Sequence, residues 1–472
     1  MPPTSVAILG GGISGLSAAF HLARRYPTVP ITVVEASTRL GGWIQTTQKP
    51  HPLLSGTYTI EHGPRTLRSS PALLELIHLL GIEDKVRAIS PTSPAAKTRF
   101  IHMPGTAGLT QIPSGVQDVV FSSLGRTLAR EVLNDIWRRA QKPTESDDQS
   151  LHDFILSRTG PTTARMASAL GHGVYAADSR VLSARATLST FYAAGRIIQF
   201  SRPNKKVVNT APYELGALQR SPGVFTLENG TNTLVDALET TLGETGNVKF
   251  IRGDGAQAIT RRGNEGIDIA LASGNRFSAS HVVSAVPLPR LRGILPSAVS
   301  HHALFGNPYT NVTVVNLVFD QPRLVPPGFG YLVTRPDDGY GISESGILGV
   351  IFDSYVDPAG ETSEAFRRLT RITAMVGGPH LASTLDVDVG QLLAVISGHL
   401  RTSLPDPVFS QVQKKVGCIP TPIVGVKGRI TSFLDEVQLD WGVRLSVVGA
   451  AVDGVAIGSC IEGGRNVGRN WT

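Results

Sequence analysis

An α/β fold organised on a parallel sheet is predicted by three features of the first 43 residues. The apolar run Val6-Ala7-Ile8-Leu9 leads directly into Gly10-Gly11-Gly12-Ile13-Ser14-Gly15 and a helical pattern, which is the order strand, turn, helix. A second apolar run, Ile31 to Val34, closes on Glu35, about 20 residues past Gly15. A second glycine pair then follows in Arg39-Leu40-Gly41-Gly42-Trp43.

Each element has a physical reason. Gly10 permits the tight turn, Gly12 lets a pyrophosphate approach the backbone, and Gly15 allows close helix-strand packing, while the helix N-terminus supplies N–H groups and partial positive charge. Ile13, Leu16, Phe20 and Ala23 share one helical face against the sheet. The Glu35 carboxylate stands where it can accept both hydroxyls of a ribose. A glycine loop alone also fits an ordinary tight turn, but the Arg39–Trp43 stretch resembles the two-dinucleotide-binding-domain flavoproteins. That resemblance implies FAD rather than NAD, with Arg39 beside the flavin phosphates or ribityl chain.

A chain of 472 residues with 41% hydrophobic content can bury a large core in two or three domains. Its net charge of +7 suits an anionic substrate or an anionic membrane surface; no basic run with interleaved aromatics appears, so nucleic acid is not expected. Cys418 and Cys460 lack metal-ligand spacing and read as buried free thiols, which suits a reducing compartment and no metal. No stretch reaches the roughly 18 to 20 apolar residues that cross a bilayer. The first strand begins too near Met1 for a signal or presequence, so membrane attachment is expected to be peripheral and any import signal internal.

Farther along, Pro71 to Leu80 reads as an amphipathic helix stopped by Gly81. From about Thr98 the character changes: a strand pair is expected around Arg99 to Met103 and a helix over Leu124 to Gln141, with Lys142 to Asp148 as a solvated loop. The nucleotide-binding pattern resumes at Phe225, with a helix over Thr233 to Leu242 and strands at Val248 to Ile251 and Ile267 to Leu271. His281 to Pro287 reads as a strand delivering a loop. The block from Pro289 to Lys427 is strand-rich, at Val312 to Phe319, Gly330 to Thr334 and Ile347 to Phe352. Leu445 to Gly449 is a closing strand, followed by a turn and a helix from Val455 whose N-terminus would point at a reduced flavin. The fold is therefore an FAD-binding Rossmann-like one with an interleaved substrate domain and a helical membrane-associating region. Residues 1–97, 225–288 and 428–472 are expected to bind FAD, 98–224 to form the substrate and membrane-associating part, and 289–427 to complete the substrate side.

In its later motifs the chain resembles the protoporphyrinogen oxidases, flavoenzymes of late haem synthesis in the flavin amine oxidase superfamily. The resemblance rests on VAILGGGISGLSAAFHL, VVEASTRLGGW, EHGPRTLR at Glu61–Arg68, and GVYAADSRVLSARA at Gly173–Ala186. It continues in GFGYLV at Gly328–Val333, GILGVIFDS at Gly346–Ser354, RITAMVGG at Arg371–Gly378 and GAAVDGVAIGSCIEGGR at Gly449–Arg465. Carried over by position, it implies non-covalent FAD contacts at Gly10, Gly11, Gly12, Ile13, Ser14, Gly15, Glu35, Arg39, Gly42, Trp43, Gly63, Pro64, Arg65, Thr66, Ala256, Ala450, Val455, Ala456 and Ile457. It implies a substrate pocket in which Arg99 pairs with a propionate and Gly173, Phe329, Leu332 and Met375 pack on the macrocycle, with His172 and Tyr331 nearby.

The activity implied is oxidation of protoporphyrinogen IX to protoporphyrin IX, with O2 as acceptor and H2O2 as product. Hydride would pass to the flavin, and no catalytic side chain is needed; no Ser-His-Asp or Cys-His arrangement and no carboxylate pair stands in the pocket segments. A eukaryotic, fungal or mitochondrial type implies peripheral attachment at the mitochondrial inner membrane, and a homodimer is compatible with it. The chain departs from the family near Cys418, where Pro422 and Val426 replace a tyrosine and a histidine, and at Asn229-Gly230 in place of a glycine pair. Two other readings stay open: a superfamily oxidase acting on an amine or a carotenoid, and a non-redox protein like the Rab GDP-dissociation inhibitors.

Overall fold

The computed structural model describes residues 2–50, 57–113, 119, 122–137, 148–194, 223–263, 265–296, 302–337, 339–340, 346–356, 368–380 and 386–471. Five parallel strands form one sheet in the order Val248–Arg252, Ile31–Glu35, Val6–Leu9, His281–Ser284 and Leu445–Val447. These strands come from stretches far apart in the chain. Val6–Leu9 and His281–Ser284 are buried along their whole length, which explains continuous apolar runs where a half-exposed strand would alternate.

The helix Ile13–Arg25 leaves the first strand through the glycine turn. A Cβ at Gly15 would stand 1.9 Å from the Gly10 carbonyl oxygen, so only glycine lets this helix lie on its strand. The helix Ile457–Asn466 packs on its other side. A Cβ at Gly464 would come within 2.5 Å of the Ser14 carbonyl oxygen, and Ser17 Oγ donates to the Ile461 carbonyl at 2.8 Å. Contacts run from Ser14 with Cys460 to Arg25 with Val467, so the two helices are parallel and present their N-termini at the same end.

A second sheet has seven strands in the order Phe409–Pro420, Tyr309–Phe319, Thr370–Gly377, Ile347–Ile351, Gly330–Val333, Phe100–His102 and Thr110–Gln111. Cross-strand pairs lie on one face of a sheet and alternate along each strand. The row Tyr331, Val350, Ala374 and Val315 points into a core completed by Leu392, Leu393 and Ile396 of the helix Val389–Leu400. The alternate row, Ile101, Leu332, Gly349, Met375, Val314 and Gln413, forms the opposite face.

That opposite face is flanked on two sides. Tyr58 and Ile60, next to the parallel sheet's glycine turns in the chain, pack on Val318 and Leu369. Ala176, at the end of the helix Pro161–Tyr175, packs with Val312, Val314 and Leu348. The N-terminus of this helix is held from a neighbour. Glu131, on the helix Ser123–Trp137, accepts from the amides of Thr162 at 3.0 Å and Thr163 at 2.7 Å. Among the described residues no helix is long and apolar enough to cross a membrane.

Strand pairing adds what the sequence did not specify. Val224–Leu227 pairs antiparallel with Leu67–Arg68 and Val86–Ala88. The strand at Gly266–Leu271 is the middle of a separate antiparallel meander with Ala256–Arg262 and Arg276–Ala279. The helix expected over Leu124 to Gln141 is described to Trp137, and Lys142 to Asp147 lie outside the described residues. Asp148 is no free loop residue. Its carboxylate accepts from Ser183 Oγ and from the Gly425 amide, both at 2.7 Å, and so ties the altered segment after Cys418 to the helical part.

Burial also fixes charge states. His21, His281, His380 and His399 are pushed down to about 4, chiefly by burial, with Arg465, Arg25, Arg24 and Arg469 adding to the effect at His21 and Arg444 at His281. A histidine whose folded pKa lies below its unfolded value of 6.5 leaves the unfolded state holding more protons between the two. Stability should therefore fall steadily as pH drops from 6.5 to 4. Urea midpoints that stay level across that window would show that these histidines are not buried in neutral form.

Candidate functional site

The two glycine turns meet. Gly10, at φ +103°, donates its amide to Val34 O at 2.8 Å, and the Gly11 amide reaches Glu35 Oε2 at 2.7 Å. Glu35 Oε1 accepts from the Ser37 amide at 2.9 Å, so this carboxylate already organises both turns. A carboxylate has about four lone-pair positions, which leaves two for hydroxyls of a ligand. Gly41 donates to Gly11 O at 2.8 Å, and a Cβ on Gly42 would lie 3.2 Å from the Gly12 Cα. The backbone between the turns is thus bare. The N-terminus of the helix Ile13–Arg25 has no side-chain cap, with Ser14 buried and Ile13 half-buried beside it.

Arg39 donates to the carbonyl oxygens of Leu40 and Ile44, each at 3.1 Å, and to that of Gly42. Its guanidinium therefore holds the turn, where the sequence placed it on the flavin. Trp43 is 41% exposed, and Gly63 is confined against it, since a Cβ there would stand 2.4 Å from Trp43 O. Pro64 accepts from Thr231 Oγ1 at 3.2 Å, and Thr66 is half-buried.

Arg65, also read as a flavin contact, points elsewhere. Its guanidinium pairs with Asp353 and donates to Asn316 Oδ1 at 2.9 Å, and Thr373 Oγ1 closes the network at 2.7 Å from both Asp353 Oδ2 and Asn316 Oδ1. The group joins the nucleotide-binding unit to the seven-stranded sheet. Close by, Glu61 accepts from the Thr231 amide at 2.7 Å, from Thr231 Oγ1 at 2.9 Å and from Thr46 Oγ1 at 2.8 Å, while burial raises its pKa. The Asn229-Gly230 departure fits here. Asn229 takes the left-handed conformation at φ +64°, which asparagine tolerates, and Gly230 remains where a side chain would meet Thr46.

At the other helix, Ala450, Val455 and Ala456 lie in the turn before Ile457, and Ala456 caps the helix without a side-chain bond. Asp453 Oδ2 accepts from the Gly449 amide at 2.7 Å and steadies that turn; burial pushes its carboxyl up to about 6. Ala256 is buried at a strand start and its carbonyl accepts from Arg290 at 2.8 Å.

On the substrate side, Leu332 and Met375 share one sheet face on either side of Gly349, and Gly173 faces Leu332 so closely that a Cβ would fall 2.9 Å from its methyl groups. Arg99 is exposed, with its guanidinium 5.8 Å from the centre of the Phe329 ring. Two expected neighbours are not on this face. Tyr331 alternates to the other side, buried, with its hydroxyl 3.0 Å from His399 Nδ1. His172 is buried with both nitrogens engaged, Nδ1 by Val333 O at 2.7 Å and Nε2 by the Tyr340 hydroxyl at 2.8 Å, and burial lowers its pKa. Val333 O can only accept, so Nδ1 carries the proton.

Sequence reasoning missed Asn316, Asp353, Gly349 and Lys415. Asp353 and Gly349 belong to the GILGVIFDS motif already singled out, and the alternation of FSQVQKKVGCIP at Phe409–Pro420 was the available signal for Lys415. Register was needed to face them inward.

Comparison with known proteins agrees with this geometry. The profile of the flavin containing amine oxidoreductases matches residues 13–420. Protoporphyrinogen oxidase of Homo sapiens is 30% identical over 493 positions, covering 98% of this chain and 97% of the human one. That of Schizosaccharomyces pombe is 28% identical, with 98% of each chain covered. The crystal structure of a provisionally named protoporphyrinogen oxidase from Exiguobacterium sp. 255-15 superposes with a TM-score of 0.75 at 22% identity, over 98% of this chain and 97% of that one, a likeness of fold.

The bare glycine backbone, the two uncapped helix N-termini and the spare lone pairs of Glu35 suit a dinucleotide. Glu35→Gln replaces charge-assisted bonds by neutral ones and should weaken FAD binding by about 1 to 3 kcal/mol. Titration of the apo-protein measures it, and an unchanged affinity would remove Glu35 from the ribose.

Proposed function

Because the chain belongs to the flavin containing amine oxidoreductase family, we propose that it binds FAD non-covalently and oxidises protoporphyrinogen IX to protoporphyrin IX in haem synthesis, with O2 as acceptor and H2O2 as product. The observation that carries the substrate class is the full-length likeness to protoporphyrinogen oxidases, together with partly open apolar residues Leu332 and Met375 on one sheet face. Membership of a flavin-containing oxidoreductase family sets aside the non-redox reading. FAD, when bound, supplies a hydride acceptor.

The chain's own task is orientation. Arg99 stands at the far strand edge, exposed, where it can hold a propionate bidentately while the macrocycle lies over the apolar row. Leu332, Phe329 and Met375 exclude water from that ring. His172 cannot take up a substrate proton, because its free lone pair already faces Tyr340. Peripheral contact with the mitochondrial inner membrane is the proposed location. Leu133 on one helix and Leu170 and Val174 on another are exposed apolar residues, and Arg126 and Arg130 share the first of these helices.

Anaerobic mixing of the purified protein with protoporphyrinogen should bleach the flavin, while benzylamine and polyamines leave it yellow; the reverse result makes the chain an amine oxidase. Arg99→Ala should lower kcat/KM by roughly ten- to a hundredfold, since a charge-assisted pair in a partly buried pocket is worth about 1.5 to 3 kcal/mol. Flavin content should stay normal, and equal losses on a porphyrinogen lacking propionates would place Arg99 in a structural role. Gly173→Ala should push the Leu332 methyl groups into the cleft and raise KM. In a Leu332→Ala background, itself weaker for substrate, the added Gly173→Ala should leave KM unchanged, and an equal further rise there would show that Gly173 does not act through Leu332.

A further inference from the structure

Lys415 lies on the strand Phe409–Pro420, directly opposite Val312, which packs with Val314 and Met375 on the cleft face. It is therefore on that face too. The side chain is only 9% exposed, yet it makes no hydrogen bond or ion pair with any described residue. The charged or titratable groups that bear on it are the Arg39 guanidinium, which repels it, and the Cys418 thiol. His62, also buried, lies within its field and that of Arg39, and Lys49 adds to it. This end of the cleft collects cations beside the Gly41-Gly42 turn and Gly63.

The residue is largely buried and its ammonium stands beside Arg39 with no partner among the described residues, a costly position that an anion in the cleft would offset. Burial, then Arg39, lowers its pKa from 10.5; the Cys418 thiol acts the other way, and no carboxylate among the described residues offsets the shift. An anion held at Arg99 would be too far away. Arg99 precedes the sixth strand from Lys415 in the sheet order, and five strand spacings put the two on the order of 24 Å apart. What remains within reach is the cofactor that the neighbouring turns are built to hold.

We propose that Lys415 is the cation that stabilises negative charge on the reduced flavin, and that its missing counter-ion arrives with the cofactor. The proposal rests on FAD binding and not on which substrate is oxidised. It also distinguishes two sources of anionic charge in FAD, the flavin ring and the pyrophosphate, and assigns Lys415 to the ring, because the pyrophosphate has the glycine loop and helix terminus of Gly10–Gly15.

The test uses Lys415→Met and Lys415→Arg. Sulfite, whose binding leaves negative charge on the flavin, is titrated into each holoenzyme and followed by loss of the yellow absorbance. Lys415→Met should bind sulfite at least tenfold more weakly, which corresponds to a two-electron potential lower by about 30 mV. Lys415→Arg should stay within about threefold of the parent. In the apo-protein, Lys415→Met should melt no lower than the parent, because it removes a partly desolvated charge that Arg39 repels, and ADP should bind both equally well. Unchanged sulfite affinity overturns the proposal, as does equal weakening in Met and Arg variants, which would make the effect one of shape. Loss of ADP affinity by the same factor as sulfite places the charge on the pyrophosphate instead, and a lower apo melting point with unchanged sulfite affinity makes Lys415 structural. No porphyrinogen enters these measurements, so a failed substrate assay and a failed Lys415 assignment are separate results.

Discussion

The backbone contact of two parallel helices is the constraint on which the cofactor side depends. Helix Ile13–Arg25 is held against its strand by Gly15 and against helix Ile457–Asn466 by Gly464, at distances that leave no room for a Cβ at either position. One consequence is purely geometric: N-termini from opposite ends of the chain open side by side. Aligned helix dipoles and unpaired N–H groups then converge where an anionic dinucleotide would lie. The other consequence is rigidity, because helices packed through small residues have few alternative arrangements of comparable energy.

A second constraint joins this unit to the seven-stranded sheet. The Arg65, Asp353, Asn316 and Thr373 network draws one residue from the turn after Glu61 and three from different strands or their ends. A buried ion pair adds little net stability, since desolvation offsets its attraction, but breaking one partner leaves an expensive charge. Such a network specifies position more than strength. With Tyr58 and Ile60 packed on Val318 and Ala176 packed on Val312, both walls of the cleft are fixed relative to its apolar floor.

The polar economy of that cleft is uneven, and the unevenness is informative. Carboxylates close to the junction are satisfied: Glu61 by three donors, Asp353 by Arg65 and Thr373, Glu35 by two amides. Cations at its inner end are not all satisfied in the same way. Arg39 is spent on backbone carbonyls and Lys415 on none. An apolar floor with few titratable groups suits a reaction in which the protein orients a largely apolar substrate and the chemistry belongs to the cofactor.

The parallel strands Val6–Leu9 and Ile31–Glu35, the glycine turn, the helix Pro71–Leu79 and the closing strand and helix were legible because local rules dictate them: apolar run length, helical period, and glycine where a backbone must turn or be approached. Glu35 was legible for the same reason, its spacing from Gly15 being set by one strand-helix-strand unit. What a side chain faces was not legible wherever it depends on strand register. Tyr331 and Leu332 are adjacent in sequence and lie on opposite faces; Arg65 follows a glycine motif yet turns to Asp353, 288 residues away; Lys415 is one of two consecutive lysines, of which Lys414 is exposed and ion-paired while Lys415 is buried. A strand's period of two makes a one-residue difference decide between core and cleft, and that phase is fixed only by the partner strands.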